Sequence, residues 1–173
     1  TTKLPTLTTG SGARCVRSWG DNGIYDHALY YNDKQRVTVV ESSLGFSTMY
    51  QMTEAGLVIK VTDPHGAATQ YRYDPHTWQK TGEIDPLGQH RTWVYDGRGN
   101  CTMVMQPDQS SIRIEYSEWD LPVRAIDATR GQWRWEYDSF GRLNAAFDPL
   151  GAATRYSYAE GLLRSVETAG GVR

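Results

Sequence analysis

Cysteine is nearly missing from this chain. Cys15 and Cys101 are the only two among 173 residues. A disulfide framework in a small secreted domain is normally denser than that, so two small buried thiols are expected, in keeping with synthesis in a reducing cytoplasm. Long apolar runs are missing too: nothing approaches the ~20 residues of a membrane-spanning helix, and no signal-peptide pattern is present. Charge of one sign is not in excess. Lys and Arg total 18 against 20 Asp and Glu, interspersed, for a formal net charge of -2. Nucleic-acid and anionic-lipid binders carry a basic patch or stripe, so neither partner is expected.

Repetition is what the sequence has in abundance. Tyr31, Met52, Tyr73, Tyr95, Tyr116, Tyr137 and Tyr158 are separated by 21, 21, 22, 21, 21 and 21 residues. A spacing held over seven copies means that one supersecondary unit recurs, and the fold is then an array rather than a globule. The chain opens at Thr1 without an initiator methionine and stops at Arg173, partway into a further copy of the unit. That reads as an excised piece of a longer protein.

Three copies carry an Asp-Pro-x-Gly turn: Asp63, Pro64 and Gly66; Asp85, Pro86 and Gly88; Asp148, Pro149 and Gly151. Asp accepts backbone hydrogen bonds, Pro presets φ at the second position, and Gly is favoured at the fourth. The residues after each turn alternate with a period of two. Thr69, Tyr71 and Tyr73 oppose Gln70 and Arg72, and Trp133, Trp135 and Tyr137 oppose Arg134 and Glu136. Such alternation of aromatic and β-branched residues is a strand signal. A second turn, as at Asp138-Ser139-Phe140-Gly141, reverses the chain into another alternating stretch, in which Leu143, Ala145 and Phe147, or Cys101, Met103 and Met105, are expected to share a face.

Each unit is therefore two short strands and two tight turns. Strands so joined are antiparallel neighbours. Turn punctuation about every ten residues leaves no room for a helix longer than a turn or two. The expected fold is all-β: about seven repeated β-hairpins over residues 14–169, forming a curved or spiralling antiparallel sheet. Residues 1–13 read as a flexible lead-in and 170–173 as a truncated tail. Twisted sheets of a dozen or more strands curl or split, hence the expected curvature.

The Tyr-Asp-x-x-Gly-Arg-Leu core at 137–143, with the Asp-Pro-x-Gly turns, resembles the YD repeat of the Rhs family, whose relatives are the bacterial ABC-toxin C components and the animal teneurins. The front segment, with Trp19-Gly20-Asp21-Asn22-Gly23-Ile24-Tyr25-Asp26, Leu29-Tyr30-Tyr31 and Ser43-Leu44-Gly45, resembles the opening of the repeat region in bacterial Rhs proteins. The resemblance covers residues 14 to 169. It departs at Met52, at Tyr116-Ser117, and at 107–121, where Pro107-Asp108-Gln109-Ser110 stands in place of Asp-Pro-x-Gly. The resemblance implies a fragment of a hollow β-shell that encloses a C-terminal toxin domain. The chain would be made in a bacterial cytoplasm and then secreted or delivered, commonly by type VI secretion. Implied partners are the rest of the shell, its toxin, and spike or chaperone proteins of the secretion route. The family's self-cleavage motif, around a final Asp-Pro-x-Gly-Leu, is not matched, since Gln89 and Ala152 come after the turns at 85–88 and 148–151.

Catalytic and metal chemistry find no support. His27, His65, His76 and His90 lack i, i+4 pairing and have no Cys-x-x-Cys beside them, so neither metal nor cofactor is expected. Asp63, Asp85, Asp127 and Asp148 recur with the repeat, which accounts for them as turn caps without catalysis. Gly97-x-Gly99 is a turn rather than a phosphate loop, and no Gly-x-Ser-x-Gly elbow occurs. The aromatic residues admit two readings. Trp93, Trp119, Trp133, Trp135 and the tyrosines are either a platform for sugar rings or cross-strand pairs that hold adjacent hairpins. Their recurrence with the hairpin favours the second. The expected function is thus a non-catalytic shell segment, with a carbohydrate-binding or adhesion module as the alternative. An isolated fragment is also expected to associate with itself.

Overall fold

The computed structural model describes residues 14–23, 25–169 and 171–172. The expected lead-in at 1–13 lies outside them. The chain divides at His90/Arg91 into two compact units. The first contains β1 (Arg17–Ser18), a single 3-10 turn at Asp21–Gly23, β2 (His27–Asn32), β3 (Val37–Ser42), β4 (Ser47–Met52), β5 (Val58–Thr62), β6 (Ala68–Tyr73) and β7 (Lys80–Ile84). The second contains β8 (His90–Tyr95), β9 (Cys101–Met105), β10 (Ser111–Tyr116), β11 (Pro122–Ile126), β12 (Gln132–Tyr137), β13 (Leu143–Phe147), β14 (Ala153–Ala159), β15 (Leu162–Thr168) and β16 (Gly171–Val172). Within the expected tail, Gly171–Val172 thus form a strand, paired with Glu167 and Thr168 of β15.

Both units are all-β and antiparallel. Within each, every strand pairs with the one before and after it in sequence, from the β1–β2 pair to the β6–β7 pair and from the β8–β9 pair to the β15–β16 pair. Among the described residues no pairing joins the first strand of a unit to its last, so neither closes into a barrel. The short connections permit only this order, because a chain reversed by a four-residue turn has no neighbour to pair with but itself.

Bulges set the register. At β4–β5, β6–β7, β8–β9, β10–β11, β12–β13 and β14–β15 the pairing shifts at the step into the periodic Tyr or Met. In β12–β13, for example, Glu136 faces Ala145 but Tyr137 faces Leu143. An extra residue in one strand switches the side to which later residues point. This corrects the strict alternation expected from sequence. Leu143 goes with Tyr137, while Ala145 and Phe147 go with Glu136 and Arg134 on the opposite face. Likewise Cys101 pairs with Tyr95, whereas Met103 and Met105 pair with Val94 and Thr92.

Across the second unit the register separates two faces. Trp93–Val104–Ile112, Ile114–Ala125–Trp133, Trp135–Ala146–Thr154 and Tyr156–Val166 line one of them. On the other lie Glu115–Arg124–Arg134–Phe147 and Glu136–Ala145–Arg155–Glu167. Little is fully covered on either. The buried apolar side chains among the described residues are Val39, Ala125 and Ala145, while Trp119 and Trp133 are exposed. A domain normally buries its sheet against a second layer. Here each unit is a single layer.

Candidate functional site: tyrosine brackets, carboxylate turns and an aromatic face

The periodic tyrosines reach backward along the chain. Tyr73 Oη donates to the Val58 carbonyl at 2.9 Å, Tyr116 to Cys101 at 3.0 Å, Tyr137 to Pro122 at 2.9 Å and Tyr158 to Leu143 at 2.9 Å, each spanning 15 residues. Tyr31 donates to Cys15 over 16 residues. The four acceptors with 15-residue spans have something in common. Val58, Cys101, Pro122 and Leu143 are the residues that face the preceding periodic position, Met52, Tyr95, Tyr116 or Tyr137, at its bulge. A bulge interrupts the ladder, and the hydroxyl from the next repeat supplies the donor that the carbonyl meets there. Burial pushes the Tyr116 and Tyr137 phenols up in pKa, keeping them protonated donors.

Met52 is consistent with this rule. The β2–β3 pair in front of it runs from His27↔Ser42 to Asn32↔Val37 without a register shift. The β3–β4 pair, on the side of β4 away from the Met52 bulge, also pairs in an unbroken run, from Glu41↔Ser47 to Val37↔Gln51, and Met52 N–H extends that ladder by donating to the Arg36 carbonyl at 2.9 Å. With no bulge in the β2–β3 pair, no carbonyl facing Tyr31 needs a phenol from the position of Met52. The thioether is enough.

The turns share one hydrogen-bond pattern. At 63–66, Gly66 N–H donates to the Asp63 carbonyl (3.0 Å), Asp63 N–H to the Ala67 carbonyl (2.9 Å), and Asp63 Oδ1 accepts from the His65 and Ala67 N–H groups at 2.9 and 2.8 Å. Asp85, Asp96, Asp138 and Asp148 repeat it. In the divergent copy the turn survives in a shifted frame. Its corner is Gln106-Pro107-Asp108-Gln109, with Gln109 N–H donating to the Gln106 carbonyl at 3.0 Å, so proline keeps its second position. Gln109 and Arg130 hold positive φ, 67° and 70°, where most turns of this type place glycine. Gln109→Gly is therefore expected to stabilise the chain by about 0.5–1 kcal/mol, read as a rise in the urea midpoint.

Three of the carboxylates at these corners, Asp74, Asp96 and Asp127, titrate low. Side-chain and backbone bonds from Asn100 hold Asp96 below the usual range, as the hydroxyl of Thr129 and the Gly131 N–H do for Asp127, and the N–H groups of Thr77 and His76 for Asp74. A carboxyl whose folded pKa is lowered leaves the native state binding fewer protons than the unfolded chain. Its stabilisation is complete above the unfolded value, near ~3.9, and disappears as pH falls through the lower folded value. We expect the urea midpoint to fall between about pH 5 and pH 2, with a shallower fall in Asp96→Asn.

Arginines bind the turns further. Arg142 N–H and Nε donate to Asp138 at 3.0 and 2.7 Å, and its guanidinium lies 4.7 Å from the Tyr158 ring centre. Arg98 donates to the Ser117 and Glu118 carbonyls, both at 2.9 Å, and pairs with Asp120 at 3.2 Å, linking one turn to the next on the same side of the sheet. Sequence reasoning missed Arg98. Its only signal is a cation at the exposed third position of a turn, about 20 residues before an Asp.

The aromatic residues differ from expectation. Trp93 faces Val104, Trp133 faces Ala125 and Trp135 faces Ala146, so these tryptophans stand opposite small or β-branched partners rather than other rings. A large ring next to an equally large one across an inter-strand gap of roughly 5 Å would crowd, whereas alanine leaves it room. Trp133 and Trp135 border a shallow groove of about 430 Å³ with Ala146 and Thr154. The cysteines also differ: Cys15 is exposed and Cys101 is half-buried, both as free thiols. Cys15 precedes β1, where no strand among the described residues covers it. Among the described residues no three His, Cys, Asp or Glu side chains gather as a metal site, and no helix is long and apolar enough to cross a membrane.

Comparison with known proteins agrees with this architecture. Residues 53–89 match the RHS Repeat family. The chain is 29% identical over 143 residues to the toxin protein Tse5 of Pseudomonas aeruginosa, covering 81% of this chain and 10% of Tse5. It is also 29% identical over 142 residues to the "Probable deoxyribonuclease RhsB" of Dickeya dadantii, covering 68% of this chain and 10% of that one. The chain thus spans about a tenth of the length of these relatives. Among solved structures, the TcdB2-TccC3-Cdc42 crystal structure superposes with a TM-score of 0.61 at 14% identity over 88% of this chain, and TcdB2-TccC3 with 0.59 at 16% over 84%. In both, the match takes up 9% of the larger chain.

Proposed function

We propose that this chain is a run of Rhs repeats and a non-catalytic wall segment of a toxin shell, one stretch of a β-structure that encloses a C-terminal toxin domain and delivers it through type VI secretion, a reading supported by the repeat match at 53–89 and by the likeness to a toxin protein. The observation that carries this reading is the uncovered sheet. Trp93, Ile112, Ile114, Trp133 and Trp135 share one face of a single layer, and among the described residues of its unit no second layer lies against it. Such a face belongs against something else. Among the described residues the turn carboxylates and the periodic phenols are taken up by backbone groups of the sheet itself. The partners of such a segment are the remainder of the shell and its toxin, and the chain would leave the cell that made it.

Light scattering over a concentration series tests this. At ~100 µM the isolated chain is expected to self-associate through strand edges and the uncovered face, with no nuclease, hydrolase or transferase activity. A strict monomer would favour a self-contained binding domain instead. The groove beside Trp133 and Trp135 supports that second reading, a carbohydrate module, since exposed aromatic faces stack on sugar rings. Glycan-array binding abolished by Trp133→Ala or Trp135→Ala would establish it in place of the wall.

A further inference from the structure

Two neighbouring turns on the same side of the second unit, at 106–109 and 127–130, depart from the repeat in the same way. Each puts a long polar residue, Gln109 or Arg130, at positive φ. The equivalent residue of the turn at 148–151 in the same unit is Gly151, and in the corresponding turns of the first unit it is Gly45, Gly66 and Gly88, all at positive φ. Strain kept at a position that glycine fills elsewhere in the same chain points to use of the side chain. Gln109 and Arg130 line one pocket of about 500 Å³, together with Ser111, Arg113, Gln132 and one carboxylate, Asp127.

The lining is rich in donors. Arg113 projects from β10 on the charged face, in register with Ile126 and through it with Gln132. Neither Arg113 nor Arg130 has a side-chain hydrogen bond or ion pair among the described residues, in contrast to Arg124 nearby, which is engaged by Glu115 and Gln132 Oε1. That bond to its Oε1 leaves the Gln132 amide NH₂ free to donate. The two carboxylates in the vicinity are committed. Asp127 accepts from Thr129 N–H and Oγ1, Gly131 N–H and Trp133 Nε1, and Asp108 accepts from Ser110 N–H.

We propose that this pocket is an oxyanion site that takes a phosphate group, free or as a monoester, between the Arg113 and Arg130 guanidiniums, with Gln109, Gln132 and the Ser111 hydroxyl as further donors. Two planar forks of N–H donors suit a group with several terminal oxygens, and charge-assisted bonds of this kind are the stronger ones. The site is independent of the wall reading, because it needs only the second unit's own turns.

The test is titration of the chain with inorganic phosphate at fixed ionic strength, followed by calorimetry, with glycerol phosphate in parallel. Saturable one-to-one binding is expected, weakened about tenfold or more by Arg113→Gln and likewise by Arg130→Gly. Arg130→Gly relieves the positive-φ strain, so its melting temperature should equal or exceed that of the parent, and lost binding cannot then be put down to unfolding. Whichever ligand binds tighter tells free from esterified phosphate, and either result supports the site. No saturation below roughly 20 mM of either ligand, or binding that survives either substitution, overturns it.

Discussion

Tyr137→Ala is expected to lower stability by roughly 2–4 kcal/mol, somewhat under the ~3–5 of a fully buried aromatic truncation because Tyr137 is only half-buried. Two losses combine: the ring leaves a gap at the end of β12, and the Pro122 carbonyl loses the hydroxyl at 2.9 Å. Tyr137→Phe separates them. It keeps the ring, removes the donor, and should cost about 0.5–1.5 kcal/mol. Met52→Tyr is the informative control. The β2–β3 pair has no bulge, so an added hydroxyl there meets no vacated carbonyl, and its effect should stay within about 0.5 kcal/mol. Urea unfolding monitored by tryptophan fluorescence measures all three. A Tyr137→Phe variant as stable as the parent would show that the bracket is incidental to packing.

Gly88→Val and Gly151→Val should each cost about 1–3 kcal/mol. Both glycines close an Asp-Pro-x-Gly turn at positive φ, 78° and 84°, and a Cβ at either would meet nothing within 4 Å. The penalty is therefore backbone strain alone, with no steric clash to confuse it. β-Branched valine bears that strain worst. His65→Ala, at the third position of the equivalent turn, changes a solvated side chain and should be nearly silent. Equal losses from all three substitutions would show that glycine is not what sets these corners. At Gln109 the sign reverses, because the native residue already bears the strain and glycine would relieve it.

Turn chemistry was open to inspection in the sequence by itself. Asp, Pro and Gly act within four residues, through a preset φ, a tolerated positive φ and a carboxylate that caps its own corner, so strings such as Asp85-Pro86-Leu87-Gly88 declare the turn without reference to anything distant. Turns at that spacing, with alternation between them, dictate all-β hairpins in antiparallel order. The 21-residue recurrence from Tyr95 through Tyr116 to Tyr137 is equally plain.

Tertiary structure decided what depends on the facing strand. A bulge is a mismatch between two strands, and nothing local in Leu143-Asn144-Ala145 shows that Tyr137 will face the first and Glu136 the third. Once the register shifts, Ala145 and Phe147 move to the charged face, where the Phe147 ring centre lies 3.9 Å from the Arg134 guanidinium carbon. The tyrosine bracket is hidden for the same reason, since its acceptor is a backbone carbonyl and every residue has one. The partners of Trp133 and Trp135, the Arg98 link between turns and the convergence of Arg113 with Arg130 likewise rest on which strands and corners come to lie side by side. The four-residue corner is written in its own side chains, whereas the pairing across the sheet is a property of two segments at once.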